Sequence, residues 1–202
     1  MNLADLFRRA CAEAGIPLSD ACLTGAMRYL ELLRKWNRRI SLTSIEEDRE
    51  LVRFHFVEAF WCAARFLEAG PIADIGTGAG FPGLAAKLYR PDLKITLLER
   101  NFKKCVFLER ACRELSLDVR IVHGPAEAWP GWPETHVATL RALQPEPLIL
   151  SALERHRVRL LQFRGPQSTV PSGWRLLREE RFPLSERRTV AEYGPASGGD
   201  HS

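Results

Sequence analysis

The chain has 202 residues, of which 46% are hydrophobic and 27% are charged, and its net charge is +4. This composition is that of an ordinary globular domain, and the sequence has no apolar run of about eighteen residues that would span a membrane. The N-terminus lacks the features of a signal peptide, so we expect a cytoplasmic protein. The five cysteines and five histidines are scattered without the spacing of a zinc site, so we expect no metal.

About the first seventy residues are predicted to be helical. Apolar residues recur at helical spacing in the first element, and Ser19 or Asp20 can cap a second helix that runs to about Arg39. A third helix is predicted over residues 48–67. We assign residues 1–69 to a helical N-terminal extension of the domain that follows.

The second helix carries a concentration of positive charge. Its four clustered cations are Arg34, Lys35, Arg38 and Arg39. Residues 151–190 hold nine arginines against four glutamates, so two basic regions flank a more neutral centre. Such a distribution suits a polyanion such as nucleic acid, and a solvated arginine-rich surface is the alternative.

Beyond residue 70, predicted strands alternate with predicted helices. The strands cover residues 71–75, 94–99, 118–122, 136–140 and 158–163, and the helices between them cover residues 81–89, 103–115 and 145–155. A terminal antiparallel pair is predicted over residues 174–184 and 187–193. This order predicts right-handed crossovers and a mostly parallel sheet covered on both faces. We assign residues 70–193 to this core and 194–202 to a flexible tail.

A glycine-rich loop after the first strand satisfies two cofactor patterns at once. Gly78, Gly80 and Gly83 satisfy G-x-G-x-x-G, the pattern of dinucleotide enzymes. Asp74 and Gly76, with Gly78 and Gly80, satisfy D-x-G-x-G-x-G, the pattern of S-adenosylmethionine enzymes. A carboxylate at the mouth of the strand would repel a pyrophosphate, whereas S-adenosylmethionine has no phosphate and carries two cationic groups.

Two further features favour S-adenosylmethionine. The loop follows a long helical segment, whereas dinucleotide folds commonly begin with their glycine pattern. The terminal antiparallel pair is typical of methyltransferases. We therefore predict an α/β fold of the Rossmann-like class I S-adenosylmethionine-dependent methyltransferase type, with a mostly parallel seven-stranded sheet. Glu99, at the end of the second strand, suits ribose hydroxyls in either kind of enzyme.

Several longer stretches carry a family resemblance. They are D-I-G-T-G-A-G-F-P-G at 74–83, L-L-E-R-N-F-K-K-C-V-F-L at 97–108, V-H-G-P-A-E at 122–127, K-W-N-R-R-I-S-L-T-S at 35–44 and R-F-H-F-V-E-A-F at 53–60. In these stretches the chain resembles the ribosomal RNA small subunit methyltransferase G family, also called glucose-inhibited division protein B. The chain departs from the family pattern where it has S-L-T for N-L-T, H-F-V-E for H-x-x-D and L-R-A for S-R-A.

The resemblance implies S-adenosylmethionine-dependent N7 methylation of a guanine in 16S ribosomal RNA, on the free RNA or on the small ribosomal subunit particle. It places the cofactor against Gly76 and Phe81 in the loop, Ala126 and Glu127 after the third strand, and Arg141 after the fourth. We expect a monomer.

Three other residues or groups complete the predicted site. Gly78 shapes the loop, Glu99 binds the ribose, and Asp74 is included for its charge. The cations of the second helix would contact RNA. Guanine N7 already offers a lone pair, so no general base is required and the catalytic residue stays unassigned, with Arg141 a candidate. His55 is expected to satisfy helix packing.

Other functions remain open from the sequence. A small-molecule methyltransferase could use the helical extension as a lid, and a non-catalytic RNA-binding protein could retain the cofactor fold without turnover. A dinucleotide oxidoreductase comes last.

Overall fold

The computed structural model describes residues 2–142, 144–166 and 168–196. The helices are α1 Leu3–Glu13, α2 Asp20–Asn37, α3 Asp48–Leu51, α4 Glu58–Arg65, α5 Gly83–Tyr89, α6 Phe102–Leu115 and α7 Pro147–Arg155. The strands are β1 Pro71–Ile75, β2 Lys94–Glu99, β3 Arg120–His123, β4 Val137–Arg141, β5 Arg159–Arg164, β6 Trp174–Arg181 and β7 Thr189–Pro195. No helix in these ranges combines the length and apolarity needed to cross a membrane.

The strands form one seven-stranded sheet in the order β3-β2-β1-β4-β5-β7-β6. β1 to β5 pair in parallel, and β7 runs antiparallel to both β5 and β6. The predicted mostly parallel sheet with a terminal antiparallel pair is confirmed. Because β1 lies between β2 and β4, the strand order reverses beside it, and ligands bind at the carboxyl ends of strands at such a point.

Polar side chains fix where the helices begin. Ser19 accepts a hydrogen bond from the Cys22 N–H at 3.1 Å at the start of α2, as predicted. Asn2 caps α1 in the same way, through the Asp5 N–H at 2.8 Å. Each cap satisfies a backbone donor that has no partner within the helix.

The third predicted helix contains a feature that the sequence pattern did not indicate. Between α3 and α4, residues Val52–Val57 form a π-helical turn, which shifts backbone hydrogen bonding to i→i+5. A hydrophobic period of 3.6 cannot distinguish such a turn from continuous α-helix. The turn carries Phe54 and His55, both of which contact the site described below.

The core divides into two clusters, one on each face of the sheet. Alternate strand residues such as Ile95 and Leu97 face the N-terminal helices, α5 and α6, whereas neighbours such as Leu98 and Leu140 face α7 and the two tryptophans after β3. The N-terminal helices share the first cluster with the sheet, so they pack as part of its core.

Several predicted boundaries differ from those of the structure by a few residues, at α5 and β7 among others. α5 begins at Gly83, with Pro82 just before it rather than in its first turn. Strand β7 continues through Gly194 to Pro195, so the predicted tail beginning at residue 194 is wrong at its first two positions, because they pair with β6. Residues 197–202 of that predicted tail lie outside the described residues.

Candidate functional site

Two cavities open at the carboxyl edge of the sheet. The Glu99 cavity has a volume of about 210 Å³ and lies between the ends of β1 and β2 and the segment after β3. The Arg141 cavity has a volume of about 930 Å³ and lies at the end of β4, between the π-helical turn and the β6–β7 hairpin. Gln144 lines both, so the two cavities adjoin.

Glu99 organises the first cavity. Its side chain lies at the end of β2 and is almost fully buried. One carboxylate oxygen accepts the Gly78 N–H at 2.9 Å, and the other accepts the Asn101 N–H at 2.8 Å. These bonds tie the glycine loop to the start of α6, so the carboxylate is held in place without a ligand.

Half of the predicted cofactor residues line this cavity. Gly76 follows β1, and Ala126 and Glu127 begin a short 3₁₀ turn after β3; all three border the Glu99 cavity. The structure therefore brings together four of the residues that the sequence assigned to the cofactor, namely these three and Glu99. Their contact with a cofactor stays a prediction.

The composition of the cavity wall fits a nucleoside that carries positive charge. The large aliphatic lining residues are Ile75, Leu98, Leu140 and Ile149. The charged lining residues are three acids, Glu99, Glu127 and Glu146, and two cations, Arg100 and Lys104. An apolar slot suits an adenine ring, and Glu99 suits a ribose. An excess of carboxylates disfavours a pyrophosphate, so the residues present fit S-adenosylmethionine.

The glycines of the loop have two different functions. Gly76 and Gly78 have φ of 61° and 60°, the left-handed region that favours glycine, and a Cβ added at Gly78 would lie 3.8 Å from its nearest neighbour. Gly83 permits close packing instead, because an added Cβ would lie 2.7 Å from an Asp74 carboxylate oxygen. The third glycine of the dinucleotide pattern therefore serves helix packing.

Asp74 does not contact either cavity, which corrects its predicted role. The side chain is fully buried beneath the loop. One oxygen accepts the Gly83 N–H at 2.8 Å, and the other accepts the Thr139 hydroxyl at 2.6 Å. Burial raises the pKa of this carboxyl. Asp74 thus accepts a hydrogen bond from a backbone N–H at the start of α5. In a dinucleotide enzyme that N–H would face the pyrophosphate, so Asp74 still disfavours a dinucleotide cofactor.

The Phe81 ring also lies beneath the loop rather than in a cavity. It stacks between Tyr29 of α2, at a centroid distance of 5.2 Å, and His55 of the π-helical turn, at 4.7 Å. The Tyr29 hydroxyl donates to the Ala79 carbonyl. The Phe81 ring therefore joins the loop to the N-terminal helices. Contact of Phe81 with the cofactor stays a prediction.

Arg141 both lines the larger cavity and forms a buried ion pair. It donates to the Phe54 carbonyl in the π-helical turn and lies 3.2 Å from a Glu58 carboxylate oxygen. Arg188, from the β6–β7 hairpin, donates to both oxygens of the same carboxylate at 3.3 and 3.1 Å. Arg141 therefore belongs both to the cavity wall and to an ion pair, because Glu58 is buried and needs both partners.

His55 borders the same cavity. Its Nε2 lies 2.8 Å from the Thr43 hydroxyl, whereas its buried Nδ1 has no hydrogen-bond partner among the described residues. Burial, with the charges of Arg141 and Arg188, lowers the pKa of His55 to about 2. The imidazole is therefore neutral at physiological pH. His55 does pack against Phe81, as expected, but it also faces the cavity.

The predicted nucleic-acid residues of α2 differ in their surroundings. Lys35, Arg38 and Arg39 are exposed and make no ion pair with another described residue. Arg34 is half-buried and pairs with Asp48 of α3, so it is less free to bind a phosphate. The segment Thr43–Ile45 borders both the Arg141 cavity and the surface that holds Arg34 and Arg38.

Sequence reasoning missed the hairpin's part in the site. Arg164, at the end of β5, and Arg187 and Arg188, in the β6–β7 turn, all line the Arg141 cavity. Their only signal was the surplus of arginine over residues 151–190. Within the described ranges, no group of three or more His, Cys, Asp or Glu side chains is placed to hold a metal ion.

Comparison with known proteins identifies the family. The model of the GidB family, the rRNA small subunit methyltransferase G family, matches residues 23–167, which is more than half of the chain. The chain belongs to this family. The match ends before the β6–β7 hairpin, although the hairpin supplies two arginines to the Arg141 cavity.

Relatives and a solved structure agree with this assignment. The ribosomal RNA small subunit methyltransferase G of Alkaliphilus metalliredigens is 40% identical over 65% of this chain and 56% of its own length. The Clostridium perfringens protein of that name is 38% identical over 63% of this chain and 54% of its length. The chain thus spans about half the length of these curated relatives. The solved structure of an S-adenosylmethionine-dependent methyltransferase from Aquifex aeolicus superposes on this chain with a TM-score of 0.53 and 14% sequence identity. The match covers 72% of this chain and 92% of that one, and the two share the class I fold.

Proposed function

We propose that the protein transfers the methyl group of S-adenosylmethionine to N7 of a guanine in 16S ribosomal RNA. Family membership supports the proposal. The observation that carries it is the pair of adjoining cavities, one with a carboxylate at the end of β2 and the other lined by arginines. A cofactor in the first would lie beside a nucleotide in the second.

The Glu99 cavity is the proposed cofactor site. Gly76, Ala126 and Glu127 would border the cofactor, and Glu99 would accept hydrogen bonds from the ribose hydroxyls. Gly78 contributes by donating its N–H to Glu99, which fixes the loop. S-adenosylmethionine supplies an electrophilic methyl group when bound.

The Arg141 cavity is the proposed nucleotide site. Arg164, Arg187 and Arg188 surround it, and their positive charge suits the phosphates of RNA. Arg141 lies where β4 ends, beside the Glu99 cavity, and its guanidinium is held by Glu58 and the Phe54 carbonyl. We propose that it orients the guanine. N7 attacks with its own lone pair, so catalysis rests on positioning and no side chain has to remove a proton.

RNA would also contact the end of α2. Lys35, Arg38 and Arg39 are exposed cations, and Arg38 lines a surface hollow together with Thr43, which also borders the Arg141 cavity. We propose that residues 1–69 present this basic face to the substrate, with Arg34 contributing less because of its pairing with Asp48. A single chain contains both cavities, which is compatible with a monomer, and either free 16S RNA or the small ribosomal subunit could bind this face.

The proposal is tested by methyl transfer in vitro. The protein is incubated with radiolabelled S-adenosylmethionine and with 16S RNA or small subunits that lack the modification, and N7-methylguanine is located by borohydride reduction and aniline cleavage. We expect label at one guanine. Changing Lys35, Arg38 and Arg39 to glutamine should raise the KM for RNA and reduce its dependence on salt.

Other outcomes separate the alternatives. Label on another atom of the RNA would overturn N7 transfer. Turnover of small molecules with no label on RNA would indicate a small-molecule methyltransferase. Tight binding of RNA and S-adenosylmethionine without any transfer would indicate a non-catalytic RNA-binding protein.

A further inference from the structure

A patch of apolar and basic side chains lies at the start of α6, on the rim of the Glu99 cavity. We call it the Phe102 patch, and it consists of Arg100, Phe102, Lys103, Lys104 and Val106. Phe102 is 66% exposed and Val106 is 36% exposed, and both values are high for large apolar side chains. Their i,i+4 spacing places them on one side of the helix, so they form a continuous apolar surface.

The backbone beneath Phe102 is rigid. The preceding residue, Asn101, donates its N–H to Glu99 at 2.8 Å and accepts the Lys104 N–H with its side chain at 3.3 Å. The Asn101 carbonyl accepts the Cys105 N–H at 3.0 Å. The Phe102 ring meets His123 nearly edge to face, at a centroid distance of 5.7 Å and an angle of 65°. The ring thus stands on a hydrogen-bonded backbone, contacts His123 and remains largely open to solvent.

The cations of the Phe102 patch itself are unpaired, and two acids, Glu127 and Glu146, line the same cavity as Arg100 and Lys104. Arg100 and Lys103 are exposed, and neither they nor Lys104 form an ion pair with another described residue. Further along the same helix, Arg110 does form one, with Glu114 at 2.7 Å. The N-terminus of α6 adds positive potential at this place. The nearby Glu99 carboxylate is buried and already accepts two backbone hydrogen bonds, so it offsets little of the positive potential of the patch.

We propose that the Phe102 patch binds single-stranded substrate RNA, with Phe102 stacked on one base and Arg100 and Lys103 on the adjacent phosphates. Open aromatic rings among unpaired cations are what single-stranded nucleic acid requires of a protein surface. The inference rests on the proposed function and adds a second contact to it. Because Arg100 and Lys104 lie on the rim of the Glu99 cavity, which adjoins the Arg141 cavity, an RNA strand that leaves the Arg141 cavity can reach the Phe102 patch along this rim.

The test measures RNA affinity by fluorescence anisotropy, with a fluorescein-labelled single-stranded RNA of mixed sequence. Phe102→Ala should bind about tenfold more weakly, because loss of one stacked base has an effect of this order. Phe102→Trp should bind like the wild type, and RNA should quench its additional tryptophan fluorescence. Leu176→Ala is the control, since Leu176 is 48% exposed but lies on β6, at the opposite edge of the sheet.

A second pair of variants tests the cations. Arg100→Gln combined with Lys103→Gln should reduce the slope of log affinity against log salt by about 1.4, because each change removes one cation from a phosphate and each contact contributes about 0.7 on a single strand. Affinity for S-adenosylhomocysteine, measured by calorimetry, should stay within about twofold of the wild type in the Phe102 variants, since stacking on RNA does not involve the cofactor.

The outcomes distinguish this inference from the proposed function. If Phe102→Ala binds the RNA as tightly as the wild type, while the wild type methylates 16S RNA, the patch is not an RNA site and the proposed function survives. If Phe102→Ala loses affinity for S-adenosylhomocysteine to the same extent, Phe102 belongs to the cofactor cavity. If it loses affinity for the small subunit but not for RNA, the patch binds protein. A wild type that binds no RNA overturns both proposals.

Discussion

His55 shows how the Arg141 cavity fixes the charge of a residue on its wall. The imidazole packs on Phe81, and its position beside Arg141 and Arg188 opposes a further positive charge. With a pKa of about 2 in the folded protein, against about 6.5 in the unfolded chain, the ring stays neutral throughout the physiological range. A neutral ring can lie beside a guanine without repelling the arginines that surround the cavity.

This pKa shift predicts a pH dependence of stability. The unfolded chain gains a proton on His55 below about pH 6.5, and the folded protein does not, so stability is present above that pH and falls on acidification. Between pH 6.5 and pH 5 the wild type should lose up to about 2 kcal/mol more than His55→Gln. Urea unfolding at each pH measures this difference.

The control for this experiment is Thr43→Val, which removes the hydroxyl near His55 but keeps the ring. Thr43→Val should be less stable than the wild type at every pH and should lose stability with the same pH profile. An equal loss on acidification in His55→Gln and the wild type would mean that His55 is protonated in the folded protein.

Single residues were the least predictable part of the site. Glu99 could be placed at the carboxyl edge because it ends a strand of a parallel sheet, whereas the family resemblance implied Gly76, Ala126 and Glu127. Asp74 also lies near the end of a strand, so its position in the sequence resembles that of Glu99. Its side chain nevertheless points beneath the loop. A position along a strand fixes which edge of the sheet a residue occupies, but packing decides which side its side chain takes.

The β6–β7 hairpin is the element that completes the Arg141 cavity. Its turn is anchored by Phe182, which is fully buried and packs against Trp61 of α4 at a centroid distance of 5.7 Å. The Phe182 N–H also donates to the Arg188 carbonyl at 2.9 Å. The anchor holds Arg188 beside Glu58, which is also on α4. A segment outside the family match is thereby fixed to the site.

A double-mutant cycle on Arg188 and Glu58 tests this connection. Arg188→Gln leaves the buried carboxylate with Arg141 as its remaining ion-pair partner, and Glu58→Gln leaves two arginines without it. Each change should cost about 1.5–3 kcal/mol of unfolding free energy. The double variant should cost less than the sum by about 1 kcal/mol or more, because the first change has already broken the ion pair that the second would break. Urea unfolding of the four proteins measures the coupling.

Arg187 provides the matched control, since it lies in the same turn and lines the same cavity without an ion pair to a described residue. Arg187→Gln should change stability by less than about 0.5 kcal/mol. Additive costs for Arg188→Gln and Glu58→Gln would mean that the hairpin and α4 are not coupled through this pair.

At the scale of the whole molecule, the N-terminal helices and the sheet form one structure. The order of the elements, the seven strands and the antiparallel ending follow from local patterns of hydrophobic residues and glycine, and the sequence predicts them. The contact of Tyr29 with the glycine loop joins residues fifty positions apart. No local sequence pattern encodes such a contact. For the same reason, the sharing of the Glu58 carboxylate between Arg141 and Arg188 could not be predicted.

Gly80 is where this long-range contact restricts the loop. Its φ is +89°, and an added Cβ would overlap the Tyr29 hydroxyl and lie 2.9 Å from the Leu84 Cβ. Gly80→Ala should therefore lose about 3 kcal/mol or more of unfolding free energy, from overlap together with an unfavourable φ. Gly78→Ala should lose only about 1–2 kcal/mol, since its φ of +60° carries a conformational cost but the space around it is open.

Combining Gly80→Ala with Tyr29→Phe tests whether α2 is the source of the restriction. Removing the Tyr29 hydroxyl removes the atom nearest to the added Cβ, so the double variant should be more stable than Gly80→Ala alone. Tyr29→Phe by itself should lower the stability, because it loses the hydrogen bond to the Ala79 carbonyl. In the double variant, the free energy of unfolding, measured with urea, and the affinity for S-adenosylhomocysteine, measured by calorimetry, should recover together. The reason is that α2 packs beneath the loop that carries Gly76 and Gly78. If Gly80→Ala were no less stable than Gly78→Ala, the helical extension would pack loosely on the loop and would not control the cofactor cavity.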